Sequence, residues 1–119
     1  MKINGFRDLR VYQRAYVVSL RVHKLTLTFP QIEQYALGEQ LRRSTKSIPT
    51  NIAEGYGKQS TVAEFKRFLM IALGSCEETR VHLEYCKDLE YINNEQYTEL
   101  EREYTEIGKM LFKMIREWK

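Results

Sequence analysis

Eight residues between positions 65 and 86 recur at intervals of three and four, and this spacing most constrains what the chain can fold into. They are Phe65, Phe68, Leu69, Ala72, Cys76, Thr79, Leu83 and Cys86. Residues with this spacing share one face of a single α-helix. Ser60 or Thr61 can cap the helix, and Thr61 with Glu64 has the pattern of a capping box. The sequence therefore predicts one long amphipathic helix over about residues 61–89.

Helical periodicity also marks the first and last segments of the chain. The first runs from about Asp8, a candidate N-cap, to about Thr28. Phe29-Pro30 follows it, and the residue before a proline disfavours the α conformation. The last segment runs over about residues 94–118, with an acidic first half and basic final turns that complement the helix dipole.

The remaining periodic segment, over about residues 31–56, contains features that interrupt helices. Pro49 is expected either to kink the helix or to begin a fresh turn, which Ser47 could cap. Gly55 and Gly57 are expected to end the helix. In the long third segment, Gly74-Ser75 lowers helix propensity by about 1 kcal/mol, which predicts close approach of a neighbouring helix there.

Four helices with short connections predict an all-α fold, an antiparallel up-down-up-down four-helix bundle that occupies residues 1–119 as one domain. No stretch approaches the roughly 20 apolar residues of a membrane span, and the N-terminus has no signal-peptide pattern. Cys76 and Cys86 on one helix would lie about 15 Å apart, too far for a disulfide. We therefore expect a cytoplasmic protein with reduced core cysteines and no membrane partner.

Motifs that carry catalytic or metal chemistry are scarce. Neither His23 nor His82 follows a glutamate by three residues, so the di-iron motif of helical bundles is missing. His82 and Cys86 could share a metal ion, but two ligands make a poor site. Residues 55–60 lack the spacing of a phosphate-binding loop. The sequence thus predicts no catalytic residue, no metal and no cofactor, and favours a binding protein over an enzyme.

Charge is unevenly distributed along the chain, although its net value is only +3. Residues 1–67 carry twelve Lys/Arg and five Asp/Glu, whereas residues 68–119 carry seven and eleven. This split predicts one basic and one acidic surface. Arginine forks match phosphate geometry, and each phosphate contact gains from counterion release. The candidate nucleic-acid-binding residues form a stripe on the first helix and a cluster on the second: Arg7, Arg10, Arg14, Arg21 and Lys24, then Arg42, Arg43 and Lys46.

The first helix also carries more apolar surface than one core requires. Tyr12 and Tyr16 help to widen its apolar arc to about 200°, whereas a surface helix needs only about 100°. The excess predicts that this helix is buried twice, once in the bundle and once against another subunit.

Several motifs resemble a family of four-helix-bundle proteins encoded by intervening sequences in bacterial 23S rRNA genes. They lie at residues 6–13, 29–30, 35–37 and 40–44, in Ser-Ile-Pro-Thr-Asn-Ile-Ala-Glu-Gly at 47–55, and at 71–75 with Glu78. The resemblance implies a ring-shaped homopentamer. It also implies a relation to accessory proteins of diversity-generating retroelements, which bind nucleic acid and a reverse transcriptase.

Asn51 and Glu54 belong to the most specific of these motifs and lie on a helix that otherwise faces protein. We expect both to be hydrogen-bonded and partly buried in a structural polar network, with Arg42 or Arg43 as a partner of Glu54 within or across subunits. A ligand contact is the alternative role.

These observations predict a non-enzymatic, homo-oligomeric bundle that binds nucleic acid, namely structured, rRNA-related RNA, through its basic face. The alternative is a protein-docking scaffold or accessory subunit, for example of a reverse transcriptase, with no direct nucleic-acid contact. A titration with rRNA fragments at two salt concentrations separates the two, because binding with steep salt dependence indicates phosphate contacts and absence of binding at low salt favours docking.

Overall fold

The computed structural model describes residues 2–119, and these residues form four long helices and no strand. The predicted all-α four-helix bundle is confirmed. It is a rod with dimensions of 45 × 23 × 21 Å. The elements are a 3₁₀ turn at Phe6–Asp8, α1 at Arg10–Thr26, the short α2 at Gln31–Gln34, α3 at Leu37–Gly57, α4 at Val62–Asp88 and α5 at Asn94–Glu117.

The four long helices are antiparallel neighbours arranged in a square. Helix α3 packs extensively against both α1 and α4, and α4 packs against α5. The seam between α1 and α5 is the least extensive of the four. Helices α1 and α4 therefore lie at diagonally opposite corners. Within residues 2–119, no helix is long and apolar enough to cross a bilayer.

The core is built around the apolar face of α4. All eight positions that the spacing predicts to share this face are buried, which confirms the helical register. Opposite them, α5 buries Leu100, Tyr104, Ile107 and Leu111. Complete burial of one such leucine or isoleucine side chain contributes about 1.5–3 kcal/mol, so this core is the main source of stability.

Side-chain caps begin the two C-terminal helices. The Thr61 hydroxyl accepts a hydrogen bond from the Glu64 amide at 3.1 Å, but the Glu64 carboxylate pairs with Arg67. Only half of the predicted capping box therefore forms. At α5, Asn93 and Gln96 form a complete box, with reciprocal hydrogen bonds of 2.8 and 2.9 Å. Each such cap stabilises a helix by about 1 kcal/mol.

The start of the first helix differs from its prediction. Asp8 is not the N-cap, because it lies in the 3₁₀ turn and its carboxylate accepts a hydrogen bond from the Asn4 amide at 2.8 Å. Helix α1 begins at Arg10, after Leu9 in an extended conformation.

The second predicted helix is divided into α2 and α3 around Tyr35 and Ala36. Arg42 fixes this break, because its guanidinium donates to the Gln34 carbonyl at 2.6 Å and to the Thr26 hydroxyl at 2.8 Å. Gly38 is required beside it, since a Cβ there would lie 2.9 Å from the Glu33 carbonyl oxygen.

Helix α3 continues through Pro49 without a fresh turn. The Ser47 hydroxyl therefore caps nothing, and it lies 2.8 Å from the Ser75 hydroxyl of α4. One turn earlier, the Thr79 hydroxyl donates to the Ser44 hydroxyl at 2.9 Å. These small paired side chains let α3 and α4 approach closely without leaving a buried hydroxyl unpaired.

Gly57 is the last residue of α3, as predicted, but two other glycines act differently from their predicted roles. A Cβ at Gly55 would lie 2.6 Å from the Phe68 Cβ, so Gly55 is a contact point between α3 and α4 and not a helix stop. Nothing lies within 4 Å of a Cβ built at Gly74. The close approach predicted for Gly74-Ser75 therefore occurs at Ser75, which meets Ser47 of α3, and not at Gly74.

The α3–α4 contact can be tested with two neighbouring glycines. We expect Gly55→Ala to lower the free energy of unfolding by about 1–3 kcal/mol, because the new methyl group overlaps Phe68. Gly57→Ala is the matched control, since its Cβ would meet no atom within 4 Å, and should raise stability by up to about 1 kcal/mol. Urea denaturation followed by circular dichroism measures both, and an unchanged Gly55→Ala variant would contradict the close packing.

Candidate nucleic-acid interface

The arginine stripe of α1 faces the acidic first half of α5. The Arg14 fork donates two hydrogen bonds of 2.9 Å to the Glu103 carboxylate. About two turns further on, Arg21 pairs with Glu99. The hydrogen bond to Glu103 raises the pKa of the Arg14 guanidinium. These two residues of the predicted stripe therefore form ion pairs with carboxylates of their own chain.

The cluster on α3 is partly occupied as well. Arg42 bonds to α2 and to Thr26, and Arg43 pairs with Glu78 of α4. Lys46 is exposed and has no carboxylate partner among residues 2–119. Burial, and then the charges of Lys46 and Arg42, lower the pKa of His23.

Four of the eight predicted residues are exposed and have no carboxylate partner in the described part of the chain. They are Arg7, Arg10, Lys24 and Lys46. Arg7 stacks over the Phe6 ring at 4.6 Å from its centroid. The structure thus divides the eight residues into three that pair with carboxylates, Arg42, which bonds to a carbonyl and a hydroxyl, and the four available ones. Only part of the stripe faces solvent free of carboxylates.

Positive charge is concentrated toward one end of the rod. The antiparallel order brings residues 2–17, 50–75 and 106–119 to the same half of the bundle. This basic half contains eleven Lys/Arg and five Asp/Glu, whereas the other half contains eight and eleven. The uneven charge of the sequence therefore becomes a basic end and an acidic end, and not two opposite faces.

Several cations of this basic half were not singled out by the sequence pattern. Those without a carboxylate partner among residues 2–119, besides Arg7 and Arg10, are Lys2, Lys58, Lys66, Lys113 and Lys119. They come from three separate stretches of sequence. The signal that could have found them is the antiparallel topology, because it places these stretches at the same end.

The predicted polar network exists around Asn51 but does not include Glu54. The Asn51 amide donates to the Ser47 carbonyl at 2.8 Å and to the Ser47 hydroxyl at 3.0 Å. Glu54 is exposed, and the two arginines predicted to pair with it bond elsewhere, so that part of the prediction is wrong within one chain. Asn51 thus connects to the α3–α4 hydroxyl pairs, which fits its predicted structural role.

Tyr12 and Tyr16 line a shallow groove of about 410 Å³ between α1 and α3. The wall on the α3 side includes Pro49 and Ala53, from the motif on which the family resemblance depends. Tyr12 packs edge-on against Phe6, with 4.9 Å between ring centroids, while Tyr16 is 43% exposed. The apolar arc predicted for α1 therefore extends to the surface.

Reactive groups are few in the described part of the chain. No cluster of three or more His, Cys, Asp or Glu side chains there could hold a metal ion. His82 Nε2 lies 3.0 Å from Glu78 Oε2, and Arg43 pairs with the same carboxylate oxygen. Cys76 and Cys86 are buried free thiols, and burial raises the pKa of each to about 12, which leaves them protonated at neutral pH.

The helices and their antiparallel order define the chain as a four-helix bundle. A family model described as 23S rRNA-intervening sequence protein matches residues 7–113. The chain belongs to this family. Its fold is similar to the solved structure of a protein with unknown function from the S23 ribosomal protein family of Bacteroides thetaiotaomicron. The two are 30% identical with a TM-score of 0.82, over 90% of this chain and 96% of that one. No curated protein matches the chain.

The Glu78 carboxylate, which contacts both Arg43 and His82, provides a test of these interactions. Burial raises its pKa, but hydrogen bonds from His82 and Arg43 outweigh burial, and the pKa lies below its ordinary 4.5. The stabilisation from this carboxylate is therefore present above that value and lost as the pH falls through the folded-state pKa.

We expect Glu78→Gln to destabilise the bundle most above about pH 5, and progressively less as the pH falls. Thermal unfolding of the variant and the native chain across this range measures the difference. Glu84→Gln, an exposed position on the same helix without an ion pair among residues 2–119, should show no such pH dependence. A pH-independent effect of Glu78→Gln would contradict the assignment.

Proposed function

We propose that the bundle is a non-enzymatic, cytoplasmic, oligomeric protein that binds structured RNA through its basic half. The observation that carries this proposal is the concentration at one end of seven lysines and arginines without carboxylate partners among residues 2–119. The family description and the solved relative's name mention 23S rRNA and a ribosomal protein, which makes 23S rRNA the first RNA to test.

The physics of the basic half suits a phosphate backbone. Lysines and arginines that neutralise phosphates release condensed counterions, and this gain is available mainly to cations that are not already paired. The paired Arg14 and Arg21 are not lost to binding, because exposed ion pairs are worth about 0–1 kcal/mol and can exchange partners. They are secondary contacts, and the unpaired cations of the end are the primary ones.

A titration with 23S rRNA fragments at 50 and 200 mM salt tests the proposal. We expect binding at the lower salt and a loss of about tenfold or more at the higher. Reversing two charges of the basic half, Lys58→Glu with Lys66→Glu, should weaken binding at 50 mM salt by about tenfold and reduce its salt dependence.

The matched control reverses two charges in the other half, Lys24→Glu with Arg102→Glu, and should change affinity by less than about threefold. Equal losses from both pairs would contradict the assignment of the basic half. Absence of binding at 50 mM salt would favour the docking scaffold instead.

Protein docking remains a second candidate because two helices expose apolar side chains on opposite sides of the rod. Helix α1 exposes Val17 at 66% and Leu20 at 48%, and α4 exposes Met70 at 61% and Val81 at 51%. Scattered apolar residues are ordinary, but a row along a helix marks an interaction surface. Since α1 and α4 lie at diagonally opposite corners, these two surfaces cannot face each other within one chain.

Two different surfaces on opposite sides of one protomer are what a heterologous ring requires. In such a ring, the α1 surface of one copy contacts the α4 surface of the next copy. Exposed Gly74 lies on the same side of α4 as Met70 and Val81, where a helix of another copy could approach closely. Copies packed side by side around an axis along the rod would present their basic ends on one face, where weak phosphate contacts add.

Paired surface variants test this arrangement by analytical ultracentrifugation. We expect the native chain to be oligomeric, and both Val17→Asp with Leu20→Asp and Met70→Asp with Val81→Asp to be monomeric. An equimolar mixture of the two variants should form a heterodimer, because one intact surface remains on each.

Ile32→Asp is the control, since Ile32 is 82% exposed on α2, away from both surfaces, and should leave assembly unchanged. A mixture that stays monomeric, or a monomeric native chain, would contradict the heterologous arrangement.

A further inference from the structure

An apolar cavity of about 710 Å³ lies between the start of α1 and the last turns of α5, at the basic end of the rod. Leu9 and Val11 form one wall, and Met110, Met114 and Trp118 form the other. A volume in this range accommodates a small organic ligand. The two methionines are flexible, so the wall can adapt to an irregular apolar shape.

Two cations stand at the rim of this cavity. Arg10 and Lys113 are both exposed, and neither has a carboxylate partner among residues 2–119. Asp8 also lines the cavity, and its carboxylate, which accepts a hydrogen bond from the backbone amide of Asn4 at 2.8 Å, offsets one of the two positive charges. The rim is therefore net positive and lies within the half of the molecule that carries excess positive charge.

We propose that this cavity binds an amphipathic anion, a carboxylate with an unbranched aliphatic tail. The tail lies between the methionines and Trp118, and the carboxylate accepts hydrogen bonds from Arg10 and Lys113. An arginine fork suits the two oxygens of a carboxylate, and a lysine adds a second positive charge. Polar edges of a nucleobase would be left unpaired against aliphatic and thioether walls, so the cavity favours an aliphatic body.

This site shares Arg10 and Lys113 with the proposed RNA surface, but its apolar walls can be tested without RNA, and its position offers a direct optical probe. Trp118 is the only tryptophan of the chain and lines the cavity. Titration with dodecanoate below its micellar concentration should change the Trp118 emission saturably, at one ligand per chain. Isothermal calorimetry provides a second readout that does not depend on the indole.

The charge of the ligand head distinguishes the proposed site from general partitioning into apolar surface. We expect dodecanol and dodecyltrimethylammonium, which have the same tail and a neutral or positive head, to bind at least about tenfold more weakly than dodecanoate. Equal binding of the three compounds, or a response that does not saturate, would overturn the proposal.

Variants at the rim complete the test. Arg10→Gln and Lys113→Gln should each weaken dodecanoate binding by about three- to tenfold, without changing the unfolding temperature appreciably, because both side chains are exposed. Lys58→Gln, in the same basic half but outside the cavity, is the matched control and should leave affinity unchanged. Equal affinity in the rim variants and the native chain would overturn the assignment of the two cations.

Discussion

The close packing of α3 against α4 is the interaction on which the rest of the bundle depends. Gly55 lets the backbone of α3 approach Phe68, and the hydroxyls of Ser47 and Ser75 meet between the same two helices. Bulky side chains at these positions would separate the helices, because protein interiors have little free volume to absorb them. With this pair fixed, α1 and α5 pack on its two outer sides. Their own shared seam stays comparatively open and contains a surface cavity of about 410 Å³.

That arrangement decides where the charges of the molecule lie. The acidic first half of α5 runs between α1 and α4, and its carboxylates meet arginines from both sides, as in Arg14–Glu103 and Arg80–Glu101. Exposed pairs of this kind contribute little to stability, about 0–1 kcal/mol each. Their larger effect is electrostatic, because they neutralise the middle of the rod. The excess positive charge that remains is concentrated at the end formed by the start of α1 and the close of α5.

The sequence alone predicts correctly the features that depend on a single helix. The spacing of Phe65 to Cys86 predicts the buried face of α4 because side-chain direction repeats locally. It was insufficient where the result depends on which helix lies opposite. Gly55 and Gly57 look equivalent in sequence, but only Gly55 meets a neighbouring helix. For the same reason, the arginine stripe of α1 appears in the sequence to have no carboxylate partners. Nothing near Arg14 in the sequence reveals that Glu103, 89 residues away, lies beside it.

The net charge of the molecule changes along the rod and not across it, and this distribution affects how copies could assemble. If copies associate through the apolar sides of α1 and α4 as proposed, no strongly charged face has to be buried in the contact, which would carry a large desolvation cost. Assembly is opposed instead by electrostatic repulsion between the basic ends, which lie together on one face of the ring. Salt screens this repulsion over about 8–10 Å. A polyanion bound to that face removes the repulsion. Because such coupling is reciprocal, assembly of the proposed ring would strengthen binding of the polyanion by the same factor by which the polyanion strengthens assembly.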